Sequence, residues 1–383
     1  MWLCDSYVLT SSEPSTPNYV RSYPMKRVHN FSAGPAVLPL SVLEKAQGEF
    51  SNYRSKGASI IEMSHRGPEY TEIHTLATSR LKEITGADDD WEVLFLQGGA
   101  SMQFLQVAHN FLSEGRTADY IDTGSWSSKA IKEAKLFGKV GVAFSGKEEQ
   151  YSRIPKQQEL SFSDAPEYVH ITPSNNTIFG TQFASEPDAP APLVCDASSD
   201  FLSRPIDLAK YGLIYAGAQK NLGPAGVTVV MIRKSFLEKQ RIEPIPTILN
   251  YRTHIGKLFH TPPVFSVYMV NYVLEWILEK GGLDYFQSFN AEKASVLYDE
   301  LDRNDFYQGT VEQGSRSAMN VTLRIHDEQL ESVFLKEAAE HGLVALKGHR
   351  SVGGIRASIY NACPRESVDA LVSFMQEFRR ARG

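Results

Sequence analysis

Two residues carry the first chemical hint. Lys220 stands in AGAQKNLGPAG (216–226), straight after a strand-like run and among small, turn-forming neighbours. A lysine held at a strand end by glycines is well placed to lose water, and a lysine with a lowered pKa attacks carbonyl carbon. Asp196 closes PLVCD (192–196), at the carboxyl end of another strand-like run, where α/β sheets bind ligands. A lysine for an aldehyde and an acid for a pyridine nitrogen are the pair that pyridoxal phosphate requires. Each pKa unit by which the acid holds the ring nitrogen protonated is worth about 1.4 kcal/mol. Taken singly, each has an ordinary reading: Lys220 as a surface loop lysine, Asp196 as a helix N-cap or turn aspartate.

Other residues extend the pattern. Gly98-Gly99-Ala100-Ser101 lies between a strand and a helix. Small residues there let backbone N–H groups approach a phosphate, and the helix dipole favours its charge. The motif is neither G-x-G-x-x-G nor a P-loop, although Asp122, about 20 residues on, keeps a dinucleotide reading open. Trp126, in DTGSW (122–126), suits stacking on a flat ring or burial in a core or interface. Ser64-His65-Arg66-Gly67 and Gly348-His349-Arg350-Ser351 repeat one device, a histidine and an arginine framed by small residues, and Arg356 follows in VGGIRASIYNA (352–362). Arginine forks suit carboxylates and phosphates, so the set reads as a pocket for a doubly anionic small substrate or as solvated loop charges. The histidines show no HExxH or comparable metal spacing.

The elements that must position these residues alternate. WEVLFL (91–96), ADYIDTG (118–124), KVGVAF (139–144), YVHIT (168–172), PLVCD, LIYAGA (213–218) and VTVVMI (227–232) read as strands, with helical runs over 102–112 and 127–137. Strands alternating with helices predict an α/β fold, a mainly parallel seven-stranded sheet flanked by helices. The short link from LIYAGA to VTVVMI predicts an antiparallel pair there. Val267, Val270, Val273, Leu274 and Ile277 mark a long helix that Gly281-Gly282 stops. After that the pattern becomes an α+β mix: a helix at Ala294, Leu297 and Leu301, the strand NVTLRI (320–325), and a terminal helix opened by Pro364. The expected division is a large cofactor-binding domain over 40–285 and a smaller α+β domain made of 25–39 and 286–383.

The chain has 383 residues, 42% apolar and 22% charged, with a net charge of −6 and no Lys/Arg block. That disfavours nucleic acid and an anionic membrane surface as partners, and no apolar run reaches the ~18 residues of a membrane span. Three widely spaced cysteines, Cys4, Cys195 and Cys363, argue against a disulfide framework and a structural zinc site, and fit a reducing, cytoplasmic setting. Residues 1–24 carry Ser, Thr, Pro and Asn clusters with neither transit-peptide nor secretory character. They are expected to be a disordered extension, with the functional chain opening near Met25.

NFSAGPAVLP (30–39), SHRGPEY (64–70), the 98–101 loop, Trp126, AGAQKNLGPAG, HTPP (260–263) and GHRSVGGIRASIYNA (348–362) occur in that order. From about residue 28 to the C-terminus the chain resembles the phosphoserine aminotransferase family, class-V aminotransferases of pyridoxal-phosphate fold type I. The two His-Arg pairs with Arg356 point to the phosphoserine branch. The resemblance implies an aspartate-aminotransferase-like fold and a homodimer with shared active sites. It implies transfer of an amino group from glutamate to 3-phosphohydroxypyruvate, and it permits phosphohydroxythreonine as a further substrate in vitamin B6 synthesis. Lys220 would hold the cofactor aldehyde and shuttle the proton, Asp196 would pair with the ring nitrogen, Trp126 would stack on the ring and Thr177 would touch its hydroxyl. Ala100, Ser101, Ser198 and Gln219 would bind the cofactor phosphate, helped by His260 and Thr261 from the partner subunit. Arg356 would clamp the substrate carboxylate, and His65, Arg66, His349 and Arg350 its phosphate, several of them across the dimer interface. Many family members carry glycine where this chain has Ala100, some a basic residue where it has Ser101, and often asparagine where it has His260. Beside the dinucleotide-binding oxidoreductase, three rivals remain at this point. One is an alanine–glyoxylate-type transaminase. Another is a desulfurase, for which Cys363 is the late candidate. The third is a non-catalytic pyridoxal-phosphate-binding module.

Overall fold

The computed structural model describes residues 27–174, 178–241 and 244–383. Residues 1–24 and Thr177 lie outside these. The chain enters through a short strand, β1 (His29–Asn30), followed by helices α1 (Leu40–Glu49) and α2 (Pro68–Thr85). Then the alternation begins: β2 (Trp91–Leu96), α3 (Gly99–Phe111), β3 (Thr117–Asp122), α4 (Ser125–Ala134), β4 (Lys139–Ser145), β5 (Val169–Ile171), β6 (Leu193–Asp196), β7 (Tyr211–Gly217) and β8 (Thr228–Arg233). All seven strands expected from the sequence join one sheet, in the order β2-β8-β7-β6-β5-β3-β4.

Only β8 runs against its neighbours, pairing antiparallel with β7 from Leu213↔Ile232 to Gly217↔Thr228 and with β2 from Trp91↔Arg233 to Leu96↔Thr228. The other pairs are parallel. β7 is buried along its whole length, as a strand covered on both faces must be. β4 closes one edge and is exposed or half-buried along its length except at Ala143. The helical run at 102–112 starts earlier than expected. Gly99 and Ala100 already belong to the first turn of α3, so the glycine segment is a helix N-terminus rather than a free loop. Gly98 makes that turn possible: its φ is +91°, and a Cβ there would come within 2.5 Å of the Met102 Cβ.

After a short helix, α5 (Lys234–Leu237), come α6 (Val264–Glu279) and α7 (Gly282–Leu301). α6 carries the expected apolar face, with Val267, Val270, Val273, Leu274 and Ile277 all buried. Gly281 and Gly282 do stop it, but the next helix starts at once and runs through Ala294 to Leu301 without a break. A smaller antiparallel sheet follows, β9 (Tyr307–Gly309), β10 (Asn320–Ile325) and, after α8 (Gln329–Glu340) and β11 (Leu343–Val344), β12 (Ile355–Ser358), in the order β12-β10-β9. α9 (Arg365–Arg382) closes the chain, with Pro364 as its N-cap and Val368, Leu371, Val372, Met375 and Phe378 buried. β1 pairs in parallel with β11, so the start of the described chain is built into its last quarter. The apolar interior reflects this. Phe31 and Val37 share a cluster with residues from Ala294 to Phe378, apart from the clusters on the two faces of the large sheet.

Candidate active site

The parallel strands bring their carboxyl ends to one edge of the large sheet. Leu96 ends β2, Asp122 ends β3 and Asp196 ends β6, while Lys220 follows β7 in the link to β8. Such an edge collects ligand-binding loops because each strand hands over to a loop or helix N-terminus there. A cavity of about 360 Å³ opens at it.

Nine of the residues singled out from the sequence line this one cavity: Ala100, Ser101, Trp126, Asp196, Ser198, Gln219, Lys220, His349 and Arg356. They come from five separate stretches of chain. Gly99, from the glycine segment already noted in the sequence, completes the wall together with Ala33, Gly34, Thr172, Ser174 and Ser199, five residues that the sequence reading did not single out as site residues. Gly34 and Ser199 were within reach of it. Gly34 lies in the NFSAGP segment, where a Cβ would sit 3.6 Å from the Gln219 side chain. Ser199 is next to Ser198, and Lys220 Nζ donates to its hydroxyl at 2.5 Å.

The electrostatics of the floor follow from burial. Removal from water drives the Lys220 ammonium down to about 8, and the nearby Arg356 charge pushes the same way, against Asp196 and Asp200. Asp196 moves in the opposite direction: burial raises its pKa, while hydrogen bonds from Ser198 and the charge of Lys220 hold it back. Its Oδ1 accepts from the Ser198 hydroxyl at 2.6 Å and the Ser198 N–H at 3.1 Å. The Ser198 oxygen accepts in turn from the Gly217 N–H at 3.1 Å. The acid is therefore tied, through Ser198, to β7, the strand that leads to the lysine. Behind it, Asp200 is raised to about 6, chiefly by burial.

Trp126 forms a side wall from the first turn of α4, with Lys129 Nζ 4.1 Å from its ring centroid. Asp122 explains how the tryptophan is held, and it removes the dinucleotide reading. Its carboxylate accepts from Ser127 and Ser128 at 2.8 and 2.9 Å, and from Ser145 and Tyr151 at 3.1 and 3.2 Å. The Ser127 hydroxyl also accepts from the N–H groups of Thr123 and Gly124. Asp122 is spent on building the start of α4.

The far wall comes from the small sheet. Arg356 lies on β12, and its backbone N–H donates to Leu346 O at 2.7 Å. His349 and Arg350 sit in the loop before it. That loop folds back so tightly that a Cβ on Gly348 would meet Gly353 O at 1.9 Å. His349 Nδ1 pairs with the Ser351 hydroxyl at 2.7 Å. Burial and then the charges of Arg356, Arg350 and Lys129 lower its pKa.

Arg350 is exposed and does not line the cavity, nor do His65, Arg66, His260 and Thr261. His260 stacks edge-on against His254 at 5.3 Å. Burial and the charges of His254 and His65 lower its pKa, so His65 and His260 are neighbours. Thr261 O accepts from Gln97 Nε2 at 3.1 Å. The sequence-derived set is thus split: nine residues line the cavity, while His65 and Arg66 stand just before α2, His260 and Thr261 just before the helix that starts at Val264, and Arg350 on the exposed side of the 348–354 loop.

Cys363 is fully buried, and burial drives its thiol up to about 11, which makes it unreactive and removes the desulfurase reading. No cluster of metal-ligating side chains occurs among the described residues. The cavity suits pyridoxal phosphate. A lysine of lowered pKa and a buried acid share its floor, an indole forms a wall, and the first N–H groups of α3, which have no intrahelical acceptor, open onto it.

The class-V aminotransferase family matches residues 28–371. The phosphoserine aminotransferase of Niallia circulans is 53% identical over 362 residues, covering 94% of this chain and 99% of that protein. Among solved structures, the phosphoserine aminotransferase from Bacillus circulans subsp. alkalophilus superposes with a TM-score of 0.90 at 53% identity, covering 93% of this chain and 99% of that one. The PLP-bound phosphoserine aminotransferase from Trichomonas vaginalis gives 0.87 at 40% identity, covering 91% and 100%. The chain therefore belongs to the class-V aminotransferase family, in its phosphoserine aminotransferase branch.

Proposed function

We propose that this protein transfers the amino group of glutamate to 3-phosphohydroxypyruvate, giving O-phosphoserine and 2-oxoglutarate for serine biosynthesis, with pyridoxal phosphate as cofactor. One observation carries the reading: Lys220, Asp196, Trp126 and Arg356 face one cavity from four different segments. Bound pyridoxal phosphate supplies an aldehyde and an electron-withdrawing ring that makes the bond to a substrate Cα proton labile.

The chain's own groups do the rest. Lys220, poised at about 8, takes the proton from the substrate Cα and returns it on the other side of the amino transfer. Asp196, buried and fixed by Ser198, keeps a proton on the ring nitrogen. Gly99, Ala100 and Ser101 offer backbone N–H groups to the phosphate, with Ser198 and Gln219. Ser101 brings no charge, so the α3 terminus carries more of that load. Trp126 closes one face of the ring against water.

Arg356 binds the substrate α-carboxylate as a fork. His349 and Arg350 receive the phosphate of one substrate and the side-chain carboxylate of the other. His65, Arg66, His260 and Thr261 serve the cavity of a second subunit in a homodimer. Their absence from the lining of their own chain's cavity supports this, and so do buried His260 ring nitrogens without a hydrogen-bond partner among the described residues. The division into a large domain over 40–285 and a small one made of 25–39 and 286–383 belongs to the same reading, and phosphohydroxythreonine remains a permitted second substrate. A cytoplasmic setting is supported by two free, buried thiols, Cys195 and Cys363. Among the described residues no helix is long and apolar enough to cross a membrane.

The deciding experiment is an absorbance titration of the holoprotein with phosphoserine, glutamate and alanine. Rapid conversion of the cofactor to its amine form by the first two only is expected. Equal conversion by alanine would overturn the substrate assignment.

A further inference from the structure

Lys293 points from α7 into the interior with none of its surface exposed. Its ammonium donates to three backbone carbonyls, Ile359 O at 2.9 Å, Tyr360 O at 2.7 Å and Cys363 O at 3.2 Å, and lies 4.5 Å from the centroid of the Phe289 ring. Burying an ammonium is costly even when every donor is satisfied, and an apolar side chain of the same length would fill this core more cheaply. The charge supplies what a hydrocarbon cannot: three directional bonds that close on one turn, 359–363.

That turn is where the cavity walls meet. The Tyr360 hydroxyl donates to Ala33 O at 2.9 Å, holding the 33–34 wall. The Asn361 N–H donates to Asn221 Oδ1 at 3.0 Å, and Asn221 is the residue after Lys220. Asn361 Nδ2 donates to Leu202 O at 2.8 Å, and Asn221 Nδ2 to Phe201 O at 3.1 Å, binding the stretch that follows Ser198 and Ser199. Asn290, one helical turn before Lys293, donates to Asn361 Oδ1 at 2.8 Å. Arg356 lies on the strand that runs into the turn.

We propose that Lys293 is a positioning residue for Lys220 and Arg356: by clamping the 359–363 turn it sets, through Asn361 and Asn221, the spacing between the amine and the carboxylate-binding guanidinium. The proposal rests on the roles given above to those two residues, but its first test does not need them. In Lys293→Met and in Asn361→Ala, hydrogen exchange in the cofactor-free protein should speed about tenfold or more at 218–223, with α2 unchanged. Unchanged exchange at 218–223 overturns the proposal, and so does an equal rise throughout the chain, which would mean a structural role only. In the loaded enzyme at equal cofactor content, either variant should lower kcat about tenfold. The double variant Lys293→Met with Asn221→Ala should be no worse than the worse single one, and additive losses would break the link. If Lys293→Met does not fold, Asn361→Ala carries the exchange and kcat tests. A failure of the substrate titration alone would strike the assigned function and leave the exchange result standing.

Discussion

The two ends of the cavity are built differently. The floor under Lys220 and Asp196 is sheet: neighbouring strands β6 and β7, a serine that ties the acid to Gly217, and burial strong enough to move both pKa values toward each other. The end proposed above to bind the substrate anions is loop. His349 and Arg350 ride on a glycine-hinged segment, Arg350 is exposed, and His65, Arg66, His260 and Thr261 lie elsewhere on the same chain. Bond-making groups need fixed geometry and a dry setting, which a buried sheet provides. Groups that must accept a phosphate in one half-reaction and a carboxylate in the next need reach more than rigidity.

The largest effect that tests this contrast is at the floor. Lys220→Ala should abolish the visible absorbance of the lysine-bound cofactor and cut turnover by at least about a thousandfold. Near-normal turnover would remove the distinction between a chemical and a binding end. At the other end, Arg356→Ala should lower kcat/KM about a hundredfold for phosphoserine, glutamate and alanine alike, through the shared α-carboxylate. Arg350→Ala should cost phosphoserine about tenfold and alanine little, because an exposed arginine contributes a screened contact to one anion only. If Arg350→Ala weakened both substrates equally, its place at the phosphate end would fall.

The smallest effect concerns pH. Lys220 is an ammonium below its pKa and a free amine above it, and burial sets that point at about 8. Covalent capture of pyridoxal phosphate by the cofactor-free protein should therefore rise with pH and level off above about 8. Asp196 favours the charged form of Lys220, so Asp196→Asn should move the midpoint lower. A midpoint near the ordinary lysine value, about 10.4, would mean that the floor is wet.

Much of the large sheet was legible along the chain because its strands are short apolar runs separated by turns, and the antiparallel β7–β8 pair follows from the shortness of the link that holds Lys220. The end of α6 was equally plain at Gly281-Gly282. The immediate restart as α7 was not, since a positive-φ glycine pair can bend a chain between two helices as well as end one. Among the site residues, Lys220 and Asp196 could be found by type and position. Ala33, Thr172 and Ser174 could not, because a small residue carries no chemical signal until something is folded against it.

By itself the sequence determined the alternation of elements, the acid and the lysine at strand ends, and the family to which the chain belongs. Those are properties of local pattern and of residue type. Only the tertiary structure decided that nine of the singled-out residues share one cavity while Arg350, His65, Arg66, His260 and Thr261 stand outside it. It also spent Asp122 on a helix start and made Cys363 inert. The most hidden of these decisions is Lys293, a core lysine bonded to three carbonyls of one turn. Each depends on which distant segments meet and how much water their meeting excludes, and neither is recorded in the spacing of residues along a chain.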